Sequence, residues 1–200
     1  MLKNVIEDIN NRIAELGVFD TIHDLCDLIH ENQIDTNSGE VLDNEMVFPA
    51  YYTSNSQYTN VAIDSNKSVC YPRRAGQVNI DESDDYDIGC DVQLTVTYPV
   101  RYVGIIYKCD KQDAYRNEKQ VMNIIHAISQ FDNRKLCAEL SVDSVRIKTN
   151  AYNTDRYEVI NQEFQNVDFN VPFDCVVFAL DIDIIIISSK DCWINYERTC

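Results

Sequence analysis

Apolar residues open the chain at helical spacing. Leu2, Val5, Ile6, Ile9, Ile13 and Leu16 recur at i, i+3/i+4 and stop at Gly17, a residue able to adopt a left-handed cap. This pattern predicts an amphipathic N-terminal helix. Ile22, Leu25, Cys26, Leu28 and Ile29 predict a second helical piece, and the polar, acidic stretch 31–46 predicts turns. Residues 47–52 (VFPAYY) are expected to form a short strand, with Pro49 directing it to an edge. From 53 to 87 the chain is rich in Asn, Ser and Asp and closes on the acidic run 81–87, which predicts a protruding hairpin or loop that orders against a neighbour.

The second half is more regular. Cys90, Val92, Leu94, Val96 and Tyr98 alternate with polar residues, and a second apolar strand is expected after Pro99, over 100–107, the two forming a β-hairpin. Val121, Ile124, Ile125, Ile128 and Phe131 predict a packing helix of roughly 18 residues with Arg116, Lys119, Asn123 and Ser129 on its outer face. A strand over 136–148 is expected to kink near Asp143 and Ser144, and Tyr157, Ile160 and Phe164 fit a short helix. In 167–189 the apolar phase shifts from odd positions (Val167 to Phe173) to even ones (Phe178 to Ile186), which predicts a bulge or break across 174–177. The expected fold class is α+β: one domain over 1–200, with an antiparallel sheet, a central helix packed on one face and an N-terminal amphipathic helix.

Charge changes the picture of partners. The formal net charge is −16, and no Lys or Arg occurs between Arg12 and Lys67. Residues 100–135 reverse the trend with 7 bases against 4 acids. The clustered bases that neutralise phosphates are missing, which argues against a DNA-binding protein. No apolar run approaches the roughly 18 residues of a membrane span. Met1-Leu2-Lys3-Asn4 opens no apolar leader, so a cytosolic site of synthesis and no membrane partner are expected.

Candidate chemistry is sparse. The eight cysteines form no C-x-x-C pair and are expected to be free thiols. His23, Cys26 and His30 would share one face if their segment were helical, a three-ligand zinc arrangement that lacks a fourth donor; packing of Cys26 as a small hydrophobe is the plainer reading. The five glycines are scattered and build no phosphate loop, and His126 fits a helix margin better than a general base. Asp181 and Asp183 share a strand face, by default a wet one. No catalytic, cofactor-binding or metal residue is therefore nominated. Tyrosines at 51, 52, 58 and 71 suit half-wet contacts between subunits, as do Arg116 and Lys119 on the basic segment.

The element order resembles that of the tail-terminator and tail-completion proteins of tailed bacteriophages, and the abundance of Asn, Asp, Ile and Tyr resembles that of crAss-like podoviruses with stacked neck rings. The first likeness rests on the opening helix, the Phe48-Pro49-Ala50 step, the hairpin over 90–107, the packing helix over 121–131 and the late apolar strand over 178–187. The resemblance implies a non-enzymatic virion protein, assembled in the host cytoplasm into a ring of six or twelve copies that meets portal, other neck-ring or tail proteins. Multiplied around such a ring, the charge would reach about −100 to −190, and acids lining the bore would let duplex DNA pass without adhering. Asp81, Glu82, Asp84, Asp85 and Asp87 are the candidate channel acids. Reversal of Arg116 and Lys119 to Glu is expected to weaken assembly. Two other classes compete: an acidic DNA mimic that inhibits a DNA-binding protein, and a Cys- or metal-dependent hydrolase with Cys26 or Cys137 as its thiol.

Overall fold

The structure, a computed structural model, describes residues 2–34, 38–53, 57–63, 67–83, 93–107, 114–129, 132–135, 140–167 and 175–189. It is an α+β fold whose centre is one strand pair. Strands β7 (Gln93–Tyr107) and β10 (Cys175–Ser189) run antiparallel over their full 15 residues, from Cys175 opposite Tyr107 to Ser189 opposite Gln93. The sheet extends on one side through β5 (Val69–Arg74) to the two-residue β1 (Thr21–Ile22), and on the other through β9 (Leu140–Asn153) to β8 (Asp132–Lys135). Strand β6 (Asn79–Ser83) continues beside β7 where β5 ends. All pairs are antiparallel except β1 with β5.

Side-chain alternation splits this sheet into two faces. Val100, Tyr102 and Ile106 of β7 and Phe178, Leu180, Ile182, Ile184 and Ile186 of β10 point to one side. There they meet Val5, Ile6, Ile9 and Ile13 of helix α1 (Leu2–Glu15) and Val121, Ile124 and Ile128 of helix α2 (Ala114–Ser129). Both helices lie where the apolar spacing puts them, and Gly17 takes φ +63° just past α1. The Phe178 ring lies directly over Gly104, where a Cβ would collide with its Cε1 and Cζ. Only glycine fits beneath that ring.

The other face carries a second layer, so the sheet is covered on both sides over its central part. Val103, Ile105, Val177 and Ala179 pack with Val69, Tyr71, Cys26, Val61 and Val159. This layer holds the short helix α3 (Arg156–Glu163) and a separate three-stranded sheet, β2 (Asp27–Ile34), β3 (Val41–Tyr52) and β4 (Tyr58–Asn60). The carboxylate of Asp155 caps α3 by accepting from the backbone N–H groups of Tyr157 and Glu158.

Several expectations need correction. Residues 22–29 are extended, not helical: the backbone N–H of His23 donates to Cys70 O and that of Cys26 to Pro72 O, supplying partners along the outer edge of β5. Much of the stretch 31–46 is a hairpin, with Asp27 opposite Ala50 and Ile34 opposite Val41. Its strand β3 is the middle strand of its sheet. Pro49 is tolerated there because it needs only its carbonyl, which accepts from Val61 N at the end of β4. Residues 69–74 do not protrude; they form β5, buried in the main sheet from Val69 to Arg73.

The hairpin expected over 90–107 is instead one continuous strand from Gln93. Pro99 is accommodated because its carbonyl, bonded to Ala75 N, faces the gap between β5 and β6, and its missing N–H would point the same way. The kink near Asp143 is present as a register shift: Ile185 pairs with Ser144 and Ile186 with Val142, leaving Asp143 as the extra residue. No bulge occurs across 175–177, which pair with β7 in unbroken register from Cys175 opposite Tyr107; residues 168–174 lie outside the described residues.

Candidate functional site

The second layer is held to the sheet by charge. Glu163, the last residue of α3, is fully buried, and its carboxylate receives both Arg73 Nε (2.8 and 2.7 Å) and the Tyr71 hydroxyl (3.4 Å) from β5. Arg101 of β7 approaches the same carboxylate at 3.8 Å, grips Asp181 of β10 through two bonds of 2.6 and 2.8 Å, and donates to Gln162 Oε1 at 2.6 Å. Arg73 spends a further donor on Arg74 O. Four elements thus meet at one ionic knot.

Its electrostatics favour position over strength. Burial pushes the Glu163 carboxyl above its ordinary value, and the attraction of Arg73 and Arg101 returns it only part of the way. Burial and the neighbouring Glu163 carboxylate likewise raise the Tyr71 phenol, while the bonds to Asp181 raise Arg101. A desolvated ion pair of this kind adds little net stability but penalises every misplacement of α3. Tyr71, Arg73 and Glu163 are turned toward one another within the core, whereas the Arg101–Asp181 pair is only partly buried and Gln162 is exposed.

The thiol of Cys26 beside it is fully buried, donates to Asp24 O, and is pushed upward by burial, which disfavours the thiolate a nucleophile needs. The helical face assumed for His23, Cys26 and His30 does not exist. His23 stacks on Tyr51 (centroids 5.3 Å apart) with its pKa lowered by burial, and His30 lies 3.2 Å from Glu45. Among the described residues no group of three or more His, Cys, Asp or Glu is arranged to hold a metal ion. Cys137 lies outside them.

The nominated contact residues separate into distinct places. Tyr52 and Tyr58 face each other across β3 and β4, exposed by 60 % and 37 %, in edge-to-face contact at 6.5 Å, with Phe48 behind Tyr58. Tyr51 points the opposite way, half-buried against His23. Tyr71 is a correction: it has no exposed surface and serves the ionic knot, so it cannot touch a neighbour. Lys119 is exposed on α2, and Arg116 lies on the first turn of that helix. Asp81 is exposed on β6, where its neighbour Glu82 pairs with Leu94, whereas Asp84, Asp85 and Asp87 lie outside the described residues.

Sequence reasoning missed the ionic knot and took Asp181 for a residue on a wet face. Two signals were present: arginines inside otherwise apolar strand segments, at Arg73 and Arg101. Their carboxylate partners lie 80 and 90 residues away, beyond any local pattern. None of the helices described is long and apolar enough to cross a membrane. No protein-family model matches the chain, and no curated protein sequence matches it either.

Proposed function

We propose that the chain is a structural subunit of a virion, forming a homo-oligomeric ring at the portal or neck–tail junction through which duplex DNA passes. The observation that carries this reading is the uneven distribution of charge. Ten acids and no Lys or Arg lie between Arg12 and Lys67, while 100–135 is net basic. Segments of opposite charge on one chain suit head-to-tail contacts between identical copies, and the remaining acids suit a bore that repels a polyanion. The exposed Tyr52–Tyr58 pair adds an amphipathic surface of the kind that interfaces favour. Asp81 on β6 begins the acidic run assigned to the bore.

Quantitative mass spectrometry of purified particles tests the reading. The chain should be present at a fixed, small copy number per portal, with microscopy locating it at the junction. Its absence from particles would overturn the proposal. A one-to-one complex with a DNA-binding protein would instead identify an acidic DNA mimic.

A further inference from the structure

The carboxylates described on β2 and β3 are not all matched. Asp27 pairs with Arg74 at 3.2 Å, and Glu45 lies 3.2 Å from His30 Nδ1. Glu31 is half-buried, yet among the described residues its side chain has neither a hydrogen-bond nor an ion-pair partner. It stands opposite Met46, on the face of the small sheet that also carries Phe48 and Ala50, whereas Glu45 belongs to the other face.

Beside Glu31 this face is hollow. A pocket of about 280 Å³ opens there, walled by Met46 and Phe48 of β3, Val61 and Ile63 after β4, and Phe164 and Val167 after α3. Glu31 and Asn60 are its polar members, and Glu31 is its one charged group. The surrounding chain offers no counter-ion, since no Lys or Arg occurs between Arg12 and Lys67. A carboxylate set in an apolar wall without a cation selects an occupant that is cationic at one point and apolar beside it.

The apolar surface continues past the pocket. The Phe48 ring lies 6.5 Å from that of Tyr58, which meets Tyr52 edge-to-face at 6.5 Å. Tyr52 and Tyr58 are direct partners across β3 and β4, and both are exposed. Glu31 thus marks one end of a strip, the pocket its middle and the ring pair its far end. From Met46 to Tyr52 the strip spans roughly 20 Å, the length of about six extended residues. The pocket itself falls below the roughly 300–1,000 Å³ of sites that enclose a drug-sized ligand. It has room for one large side chain, and the strip has room for the chain that carries it.

We propose that this strip binds an extended peptide segment of a partner protein, with a Lys or Arg at one end, a large apolar residue two positions on and a further apolar residue at the other end. The base pairs with Glu31, the first apolar residue fills the pocket, and the second lies on Tyr52 and Tyr58. The inference stands on the small sheet alone and does not depend on the ring reading.

Fluorescence anisotropy on the full chain tests it with labelled heptapeptides, in about 0.15 M salt to screen the net charge. The probes are Lys-Thr-Phe-Thr-Val-Thr-Leu, its reversed sequence, and the same two with Glu in place of Lys. The wild type is expected to bind the better Lys peptide about 5-fold more tightly than its Glu counterpart. Glu31→Gln should remove most of that preference and Glu31→Lys should invert it, each at the wild-type melting temperature. Glu40→Gln, which removes the same charge elsewhere on the hairpin, should leave the preference intact. Tyr52→Ala, at an exposed position, should weaken the Lys peptide about 10-fold. No binding of any probe, equal affinity for Lys and Glu peptides, or equal effects of Glu31→Gln and Glu40→Gln would overturn the inference. So would a Tyr52→Ala variant that lost self-association and kept its peptide affinity, which would make a second copy the occupant. The ring reading is decided separately, by the chain's presence in particles.

Discussion

The two faces of the main sheet are held by different physics. On the helical side, α1 and α2 lie on apolar side chains of β7 and β10, with one buried hydrogen bond from the Tyr102 hydroxyl to Asn10 Oδ1, and most of this contact is dispersion, which has no direction. On the other side, α3 and the small sheet sit around a buried carboxylate clasped by arginine, which allows little displacement. The second face fixes where α3 sits on the main sheet, and with it the small sheet that is bonded to the end of α3 through Val47 and Gln165.

Breaking each face should give distinct signatures. On the helical side, Phe178→Ala is expected to cost about 3–5 kcal/mol, read as a shift of the denaturant midpoint. Gly104→Ala should cost about 1–3 kcal/mol by forcing a Cβ into the Phe178 ring. The double variant should cost clearly less than the two singles added, since removing the ring frees the space; simple additivity would contradict the packing described.

On the ionic side, Arg73→Met should cost about 3 kcal/mol, because it leaves the Glu163 carboxylate buried with only the long bond from the Tyr71 hydroxyl and Arg101 at 3.8 Å. Adding Glu163→Leu should recover most of that loss, whereas apolar replacement has no such rescue on the helical face.

The smallest effect concerns pH. Glu163 titrates above the 4.5 of an ordinary glutamate, so the native state holds its proton more tightly than the unfolded chain does. The stability linked to this group is fully present below about 4.5 and is lost as pH rises through the raised native value. Wild type should accordingly gain on Glu163→Gln as pH falls through that window, measured as the difference in urea midpoints. A difference that shrinks on acidification would mean the arginines overcome the burial.

What could be read from the sequence follows the same division. Ile6, Ile9 and Ile13, and the even positions from Phe178 to Ile186, repeat at helix and strand periods because one face of each element meets a uniform apolar partner. Alternation in β7 was visible too, but Pro99 concealed its continuity, since proline is tolerated there only by the gap between β5 and β6. The β2–β3 hairpin was hidden because its outer positions are polar and its order comes from pairing. Strand β5 was hidden by Pro72 and Arg73, residues a buried strand accepts only with a carbonyl-only position and a distant Glu163. Of the proposed surfaces, Tyr52, Tyr58 and Lys119 could be nominated from residue type alone, whereas Tyr71 could not be separated from them without its burial.

The central claim is that identical copies close into a ring whose carboxylates face the DNA. A symmetric reconstruction of the assembled ring from purified particles tests it most directly. The account predicts Asp81 and the acidic run that follows it on the lumen, with Lys119 buried between adjacent copies. Carboxylates turned outward around a lumen lined by lysine and arginine would contradict it.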